Sequence, residues 1–216
     1  VIQRLSPFLP PNALLADLTS VKIDPVAQML EHHKGPVLGI HPLFGPGLAS
    51  LDKQIIVVTP GRDEKAWAWL KDQLGLWGAV VVHSTPREHD EAMELVQALR
   101  HFATFCFGQF LFEKKADIHR TLEFSSPIYR LELGMVGRLF AQDPGLYSEI
   151  IFATPKRLKL LKEFIASMAL QADMLETGDK SLFIKRFRDI AQWFGPFGDQ
   201  AMRESTFLIN KLIERF

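Results

Sequence analysis

Four groups of side chains in this 216-residue chain have types and spacings suited to chemistry. The first is His41, which follows the apolar run Pro36-Val37-Leu38-Gly39-Ile40 and precedes Pro42 and the loop Leu43-Phe44-Gly45-Pro46. A buried strand that delivers an imidazole to its carboxyl end and then stops puts a titratable group where open α/β sheets hold their ligands. The same pattern also fits a loop-entrance histidine whose ring bonds backbone. The second group is Thr19-Ser20-Val21-Lys22, just past the apolar run Ala13–Leu18. Two adjacent strand ends carrying Ser20, Lys22 and His41 would converge on one crevice. A hydroxyl helix cap beside a solvated lysine is the plainer alternative. The third is Arg130 with Arg138, eight residues apart and so offset by about 80° on a helix. Set among Leu131, Leu133, Met135 and Val136, these arginines need carboxylate partners, either internal (Glu132, Asp143) or on a ligand. The fourth is His89 with His101, twelve residues and about 120° apart, which need not share a target.

Other chemistries lack their residues. Gly45-Pro46-Gly47-Leu48-Ala49-Ser50 nearly matches the dinucleotide fingerprint, but Ser50 stands at the third glycine, Pro46 sits inside, and no helical pattern opens there. It reads as a plain loop. No Walker lysine loop and no G-x-S-x-G elbow occurs. The seven histidines form no HExxH and no paired metal spacing, so no metal is expected.

The positioning elements follow from periodicity. A helix end over residues 1–6 is stopped by Pro7, Pro10 and Pro11. Strands are expected at Ala13–Leu18, Pro36–Ile40, Gln54–Thr59 and Ala79–His83. Between them, Asp24-Pro25 supplies an N-cap and first-turn proline for a helix over Val26–His33. A second helix runs from Asp63 to about Trp77, with Trp67, Leu70 and Leu74 on one stripe. Strand–helix alternation predicts a parallel or mostly parallel sheet. After Pro86 every pattern is helical: Glu88–Lys115, Leu131–Phe140, Pro155 to about Leu175, and Asp179–Phe216 with a break at Gly195-Pro196. The fold class is therefore α/β followed by all-α. The stretch Phe102–Phe112 is apolar nearly all round, which demands burial on most sides. The surplus of Phe and Leu favours a subunit interface over a monomeric bundle.

Charge is balanced, with 25 basic and 25 acidic residues, which argues against a nucleic-acid or membrane-surface partner. The one cysteine, Cys106, excludes a disulfide framework, implies a reducing, cytoplasmic setting and reads as a small core residue. The chain opens on Val1 in mid-pattern and reads as a piece of a longer protein.

Four motifs, in order and at consistent spacing, carry a family likeness: GPVLGIHPLFGP (35–46), QALRHFATF (97–105), SSPIYRLEL (125–133) and MVGRLFAQDP (135–144). From about residue 1 to the C-terminus the chain resembles prephenate dehydrogenase, and most of all the bacterial bifunctional type fused to chorismate mutase. The resemblance implies a Rossmann-like nucleotide-binding part at 1–86, lacking its first βαβ unit, and a helical dimerisation and substrate domain at 87–216. It implies NAD-dependent oxidative decarboxylation of prephenate to 4-hydroxyphenylpyruvate in tyrosine biosynthesis, with tyrosine as feedback inhibitor and a homodimer as the assembly. By the same resemblance His41 is the catalytic histidine, accepting a hydrogen bond from the substrate hydroxyl as hydride leaves. Arg138 is the carboxylate clamp, with Arg130 in support, and His101 lies near the substrate side chain. Ser20 lies beside substrate and nicotinamide, Lys22 is its basic neighbour, and Tyr147 lines the pocket. The chain departs from some relatives at Gly47, where they carry an acid. An arogenate-preferring dehydrogenase and a non-catalytic dimerisation fragment are the alternatives.

Overall fold

The structure is a computed structural model, and it describes residues 1–45 and 47–214. Pro46, the proline of the fingerprint-like loop, and the last two residues of the chain lie outside the described residues. The chain divides into two compact units, Val1–Ala98 and Leu99–Phe216.

The first unit begins with α1 (Ile2–Leu5) and a 3-10 turn over Ser6–Phe8, where the proline-rich stretch ends the helix. Its sheet has four strands in sequence order: β1 (Leu15–Asp17), β2 (Val37–Pro42), β3 (Ile55–Arg62) and β4 (Val80–His83). β1 pairs with β2 in parallel across α2 (Ile23–His32), and β3 with β4 in parallel across α3 (Glu64–Leu76). β2 and β3 pair antiparallel, because the 43–54 connection holds no helix that would carry the chain back across the sheet. Two parallel pairings in three make the sheet mostly parallel, as the alternation predicts, with one reversal. Leu38, Ile40, Ile56, Val58 and Trp67 form the core under α3, and Leu15, Val26, Met29 and Val37 that under α2. Trp67 and Leu74 are buried and Leu70 packs against them, which is the stripe the sequence predicts.

Two local features differ from the pattern expected of the sequence. α2 starts three residues earlier than expected, at Ile23, and Asp24 sits inside its first turn instead of capping it. His41 lies within β2, not after its end. Pairing of His41 with Val57 and of Pro42 with Ile56 extends the strand beyond the apolar run.

α4 (Pro86–Met93) starts on a capping box, in which the Thr85 hydroxyl accepts from the Glu88 amide and the Glu88 carboxylate accepts from the Thr85 amide. It passes through a π-helical stretch, Glu94–Leu99, into α5 (Arg100–Glu113). The second unit then holds α6 (Ile118–Glu123), α7 (Pro127–Phe140), α8 (Pro144–Phe152), α9 (Pro155–Glu176), α10 (Lys180–Phe194) and α11 (Pro196–Ile213). α5 packs on α7 and α8, α11 on α7, α9 on α8 and α10 on α11. α6 and α8 lie in stretches to which the sequence patterns above assign no element.

The expected burial of Phe102–Phe112 is not met within the chain. Phe105, Phe107, Phe110 and Phe112 are exposed, Thr104 is the buried residue of α5, and α10 buries none. Cys106 is exposed, against the expectation of a core residue. The apolar surface of this unit exceeds what its own helices cover. Among the described residues, no helix is long and apolar enough to cross a membrane.

Candidate active site

The carboxyl ends of β1 and β2 lie side by side, since the strands pair in parallel with Asp17 opposite Gly39. Gly39 is obligatory for steric reasons. A Cβ there would stand 2.1 Å from Thr59 Oγ1 and 2.9 Å from Lys22 Cδ. The missing side chain leaves the space over Gly39 in which the Lys22 stem lies on its way to Asp17. Lys22 is fully buried, its ammonium on Asp17 Oδ2, where the Thr19 amide (3.0 Å) and hydroxyl (2.6 Å) also donate. Burial lowers the Lys22 pKa from its ordinary value, outweighing the opposite pull of Asp17 and Asp90. The solvated lysine of the plainer sequence reading is thereby corrected: this lysine ties the β1–α2 turn, with half-buried Ser20 in it, to the sheet.

His41 and His89 are 3% and 2% exposed, so whatever their rings do is decided by protein contacts. His41 Nδ1 lies 2.8 Å from His89 Nε2, the rings crossing edge-on at 5.0 Å between centroids. His89 Nδ1 lies 2.8 Å from Asp90 Oδ1. The Asp90 carboxylate in turn accepts from the main-chain amides of Lys22 (2.8 Å) and Ile23 (3.0 Å). It is therefore Asp90, from α4, that caps the N-terminus of α2 in place of Asp24. Burial pushes the Asp90 carboxyl up, but hydrogen bonds from His89 and those two amides outweigh it and leave the pKa below the ordinary aspartate value. On the far side of His41, Gln97 Nε2 lies 3.2 Å from His41 Nε2, and Gln97 Oε1 is buried without a partner. An unbroken α-helix would set Gln97 about 80° from His89, and the wider π winding between them reduces that angle so both reach His41.

The sequence marks His41 but not His89 as its partner, nor Asp90 and Gln97. The available signal was Thr85-Pro86-Arg87-Glu88, a capping box that puts His89-Asp90 in the first turns of a helix directly after a strand. Side chains meet the His41 ring at both nitrogens, His89 at Nδ1 and Gln97 at Nε2.

In the second unit, α5, α7 and α8 enclose a cavity of about 190 Å³ whose lining includes Arg100, His101, Thr104, Arg138 and Tyr147. Ser126 caps α7 ahead of Pro127 at its start, so the Ser-Pro of the SSPIYRLEL motif fixes where that helix begins and hence which residues face α5. His101 and Tyr147 meet edge to face at 4.9 Å. Burial, with the Arg100 charge added, lowers the His101 pKa, which favours the neutral ring. Arg138 is exposed at the cavity and pairs with neither Glu132 nor Asp143 among the described residues; Asp143 caps α8 instead. Arg130 is not in the lining and donates to the Leu122 carbonyl at 2.7 Å, at the end of α6. An exposed guanidinium beside an imidazole and a phenol suits a small carboxylate-bearing ring compound.

Residues 1–83 match the model of the prephenate dehydrogenase nucleotide-binding domain, and residues 85–189 that of the prephenate dehydrogenase dimerization domain. The chain belongs to the prephenate dehydrogenase family. It is 46% identical over 210 residues to the T-protein of Enterobacter agglomerans and 43% identical to that of Haemophilus influenzae, in each case over 97% of this chain and 56% of the relative. A probable arogenate/prephenate dehydrogenase of Methanocaldococcus jannaschii is 34% identical, over 98% of this chain and 50% of the relative. The chain thus spans about half the length of the curated relatives it matches. Among solved structures, prephenate dehydrogenase from Aquifex aeolicus in complex with hydroxyphenyl propionate and NAD+ shares the fold at a TM-score of 0.71 and 20% identity, over 88% of this chain and 69% of that one. Synechocystis arogenate dehydrogenase does so at 0.63 and 21%, over 92% and 73%. In this chain the two family models meet between His83 and Thr85, where β4 ends and the capping box starts. The compact units part later, at Ala98, because α4 packs on α2 and β3.

Proposed function

We propose that the protein carrying this chain is an NAD-dependent prephenate dehydrogenase that converts prephenate to 4-hydroxyphenylpyruvate in tyrosine biosynthesis, in the cytoplasm. The observation that carries the reading is His41, a buried imidazole at the carboxyl half of β2, gripped through both ring nitrogens by side chains. In this mechanism His41 accepts a hydrogen bond from the ring hydroxyl of prephenate. That steadies the positive character that develops as the carbon bearing the hydroxyl gives up hydride. When bound, NAD is the hydride acceptor. The bond from the ring to its carboxylate breaks, carbon dioxide leaves, and the electron pair completes the aromatic ring, with the proton remaining on the phenol. Arg138 holds a substrate carboxylate, and His101 and Tyr147 border the same cavity. Ser20, on the turn after β1, serves the hydroxyl and nicotinamide. Lys22 acts by fixing that turn, its ammonium being held by Asp17, and Arg130 acts in support by tying α6 to α7.

The N-terminus of α2 is not a site for the pyrophosphate of the cofactor. The strand-to-helix turn at α2 presents its amides to the Asp90 carboxylate, so an anion already occupies that helix N-terminus. Residues 1–86 are proposed as nucleotide-binding and 87–216 as the dimerisation and substrate part. Fusion to chorismate mutase is proposed from the identity to the T-proteins, and tyrosine as an inhibitor from the arginine–imidazole cavity. A homodimer is supported by the exposed aromatic residues of α5 and the uncovered α10. Arogenate preference is the second reading, favoured by the name of the Methanocaldococcus relative. The test is prephenate-dependent NADH formation by the full-length protein, run beside arogenate. Turnover of prephenate is expected; turnover of neither substrate refutes the reading, and turnover of arogenate alone selects the second.

A further inference from the structure

The hydrogen bonds behind His41 have a direction, and it follows from the chemistry of one end. An ionised carboxylate accepts and never donates. Asp90 is held ionised, with one oxygen on the Lys22 amide and the other on the Ile23 amide, so His89 Nδ1, 2.8 Å from Oδ1, must carry a proton. In the neutral ring, which has one N–H, His89 Nε2 then offers a lone pair. His41 Nδ1, 2.8 Å from that lone pair, must be the donor, which leaves the His41 lone pair on Nε2. The Gln97 contact agrees at the other end. Its amide nitrogen, a donor, is the atom turned toward His41 Nε2 at 3.2 Å, although this leaves Gln97 Oε1 buried without a partner. Reversing the chain of donors would set a lone pair of His89 against the Asp90 carboxylate.

We propose that His89 and Asp90 are positioning residues whose relay, anchored on the N-terminal amides of α2, holds His41 as the Nδ1–H tautomer, so that its Nε2 lone pair meets the reacting hydroxyl. Gln97 occupies that lone pair until a hydroxyl donor replaces it. The inference rests on the reading of His41 as the hydrogen-bond acceptor. It adds why the acceptor is Nε2 and which residues decide it. Because Asp90 also closes the α2 N-terminus, the turn bearing Ser20 and the tautomer of His41 are set by one carboxylate.

The experiment is nitrogen NMR of the 216-residue chain labelled at histidine, above the pH range in which imidazoles protonate. His41 is expected with a protonated Nδ1 and a lone-pair Nε2. Asp90→Asn has one acceptor oxygen for three donors, and its amide group turned toward His89 reverses the relay, moving the His41 proton to Nε2. In the full-length protein this variant is expected to lose roughly 10²–10⁴-fold in kcat, as wrong-tautomer variants of other relays do, with KM changed less than about threefold. His89→Gln retains an acceptor for His41 Nδ1 and keeps the tautomer and most of the turnover, whereas His89→Leu loses both. The two His89 variants leave the α2 cap in place, so they decide the matter if Asp90→Asn does not fold. A wild-type His41 protonated at Nε2, or a tautomer unmoved by either Asp90→Asn or His89→Leu, overturns the relay. A tautomer that flips while prephenate turnover stays intact upholds the relay and removes His41 from the chemistry.

Discussion

Replacing Asp17 by Asn tests the buried charge beneath the site. Asn has the shape of Asp but no charge, so Lys22, fully buried, would keep its ammonium without its nearest counter-ion. Breaking one side of a buried pair costs about 3–5 kcal/mol. A second route to the magnitude gives a ceiling. The folded chain escapes the unpaired charge by releasing the Lys22 proton, and at about pH 7 that costs about 1.4 kcal/mol for each of the roughly 3.5 units below the ordinary lysine value, about 5 kcal/mol in all. The two figures agree, so Asp17→Asn is expected to cost about 3–5 kcal/mol near neutrality. The sign of the pH dependence follows. Burial lowers the Lys22 pKa in the folded chain already, and loss of Asp17 removes the largest opposing pull. Between that lowered value and the ordinary 10.5, the unfolded chain binds more protons than the folded one. Stability of the variant therefore rises with pH through that window, by up to about 1.4 kcal/mol per unit. Urea denaturation of the 216-residue chain from about pH 6 to about pH 10, at constant m, reads both effects. Adding Lys22→Met to the variant is expected to recover most of the loss. A loss under about 1 kcal/mol with a flat pH profile would refute the reasoning, since Lys22 would then be solvated.

Four further outcomes are expected. His41→Asn in the full-length protein lowers kcat by roughly 10²–10⁴-fold, and a steady-state assay giving near-normal turnover would take His41 out of its role. Arg138→Gln chiefly raises KM for prephenate by removing a carboxylate clamp; an unchanged KM would argue against that contact. Gly39→Ala drives a Cβ to 2.1 Å from Thr59 Oγ1 and destabilises the first unit by about 1–3 kcal/mol in denaturant melts, so a change within about 0.5 kcal/mol would contradict the packing. Sedimentation of the chain gives a mass near twice 24.5 kDa, and Phe110→Glu lowers it toward that of one chain; a wild-type monomer would refute the dimer.

The sequence by itself determined the elements and their order, because those rest on local rules. Alternation and capping residues place β2, β3, β4 and α3 within a few residues, and the change from strands to helices after His83 is plain from Pro86 onward. His41, Arg138, His101 and Tyr147 were reachable through motifs. Tertiary structure decided everything that depends on residues far apart in the chain. The antiparallel β2–β3 pairing, the burial of Lys22 across Gly39 and the capping of α2 by Asp90 all join segments brought together by packing. The apolar α5, read as a buried helix, is exposed because burial is a property of neighbours, and hydropathy alone does not say which chain supplies them. The direction of the hydrogen bonds through His89 is the clearest case. No spacing in the sequence links His41 to His89, 48 residues apart, and their 2.8 Å contact exists because the helix that begins at the capping box packs on α2 and on β3, the strand paired with β2.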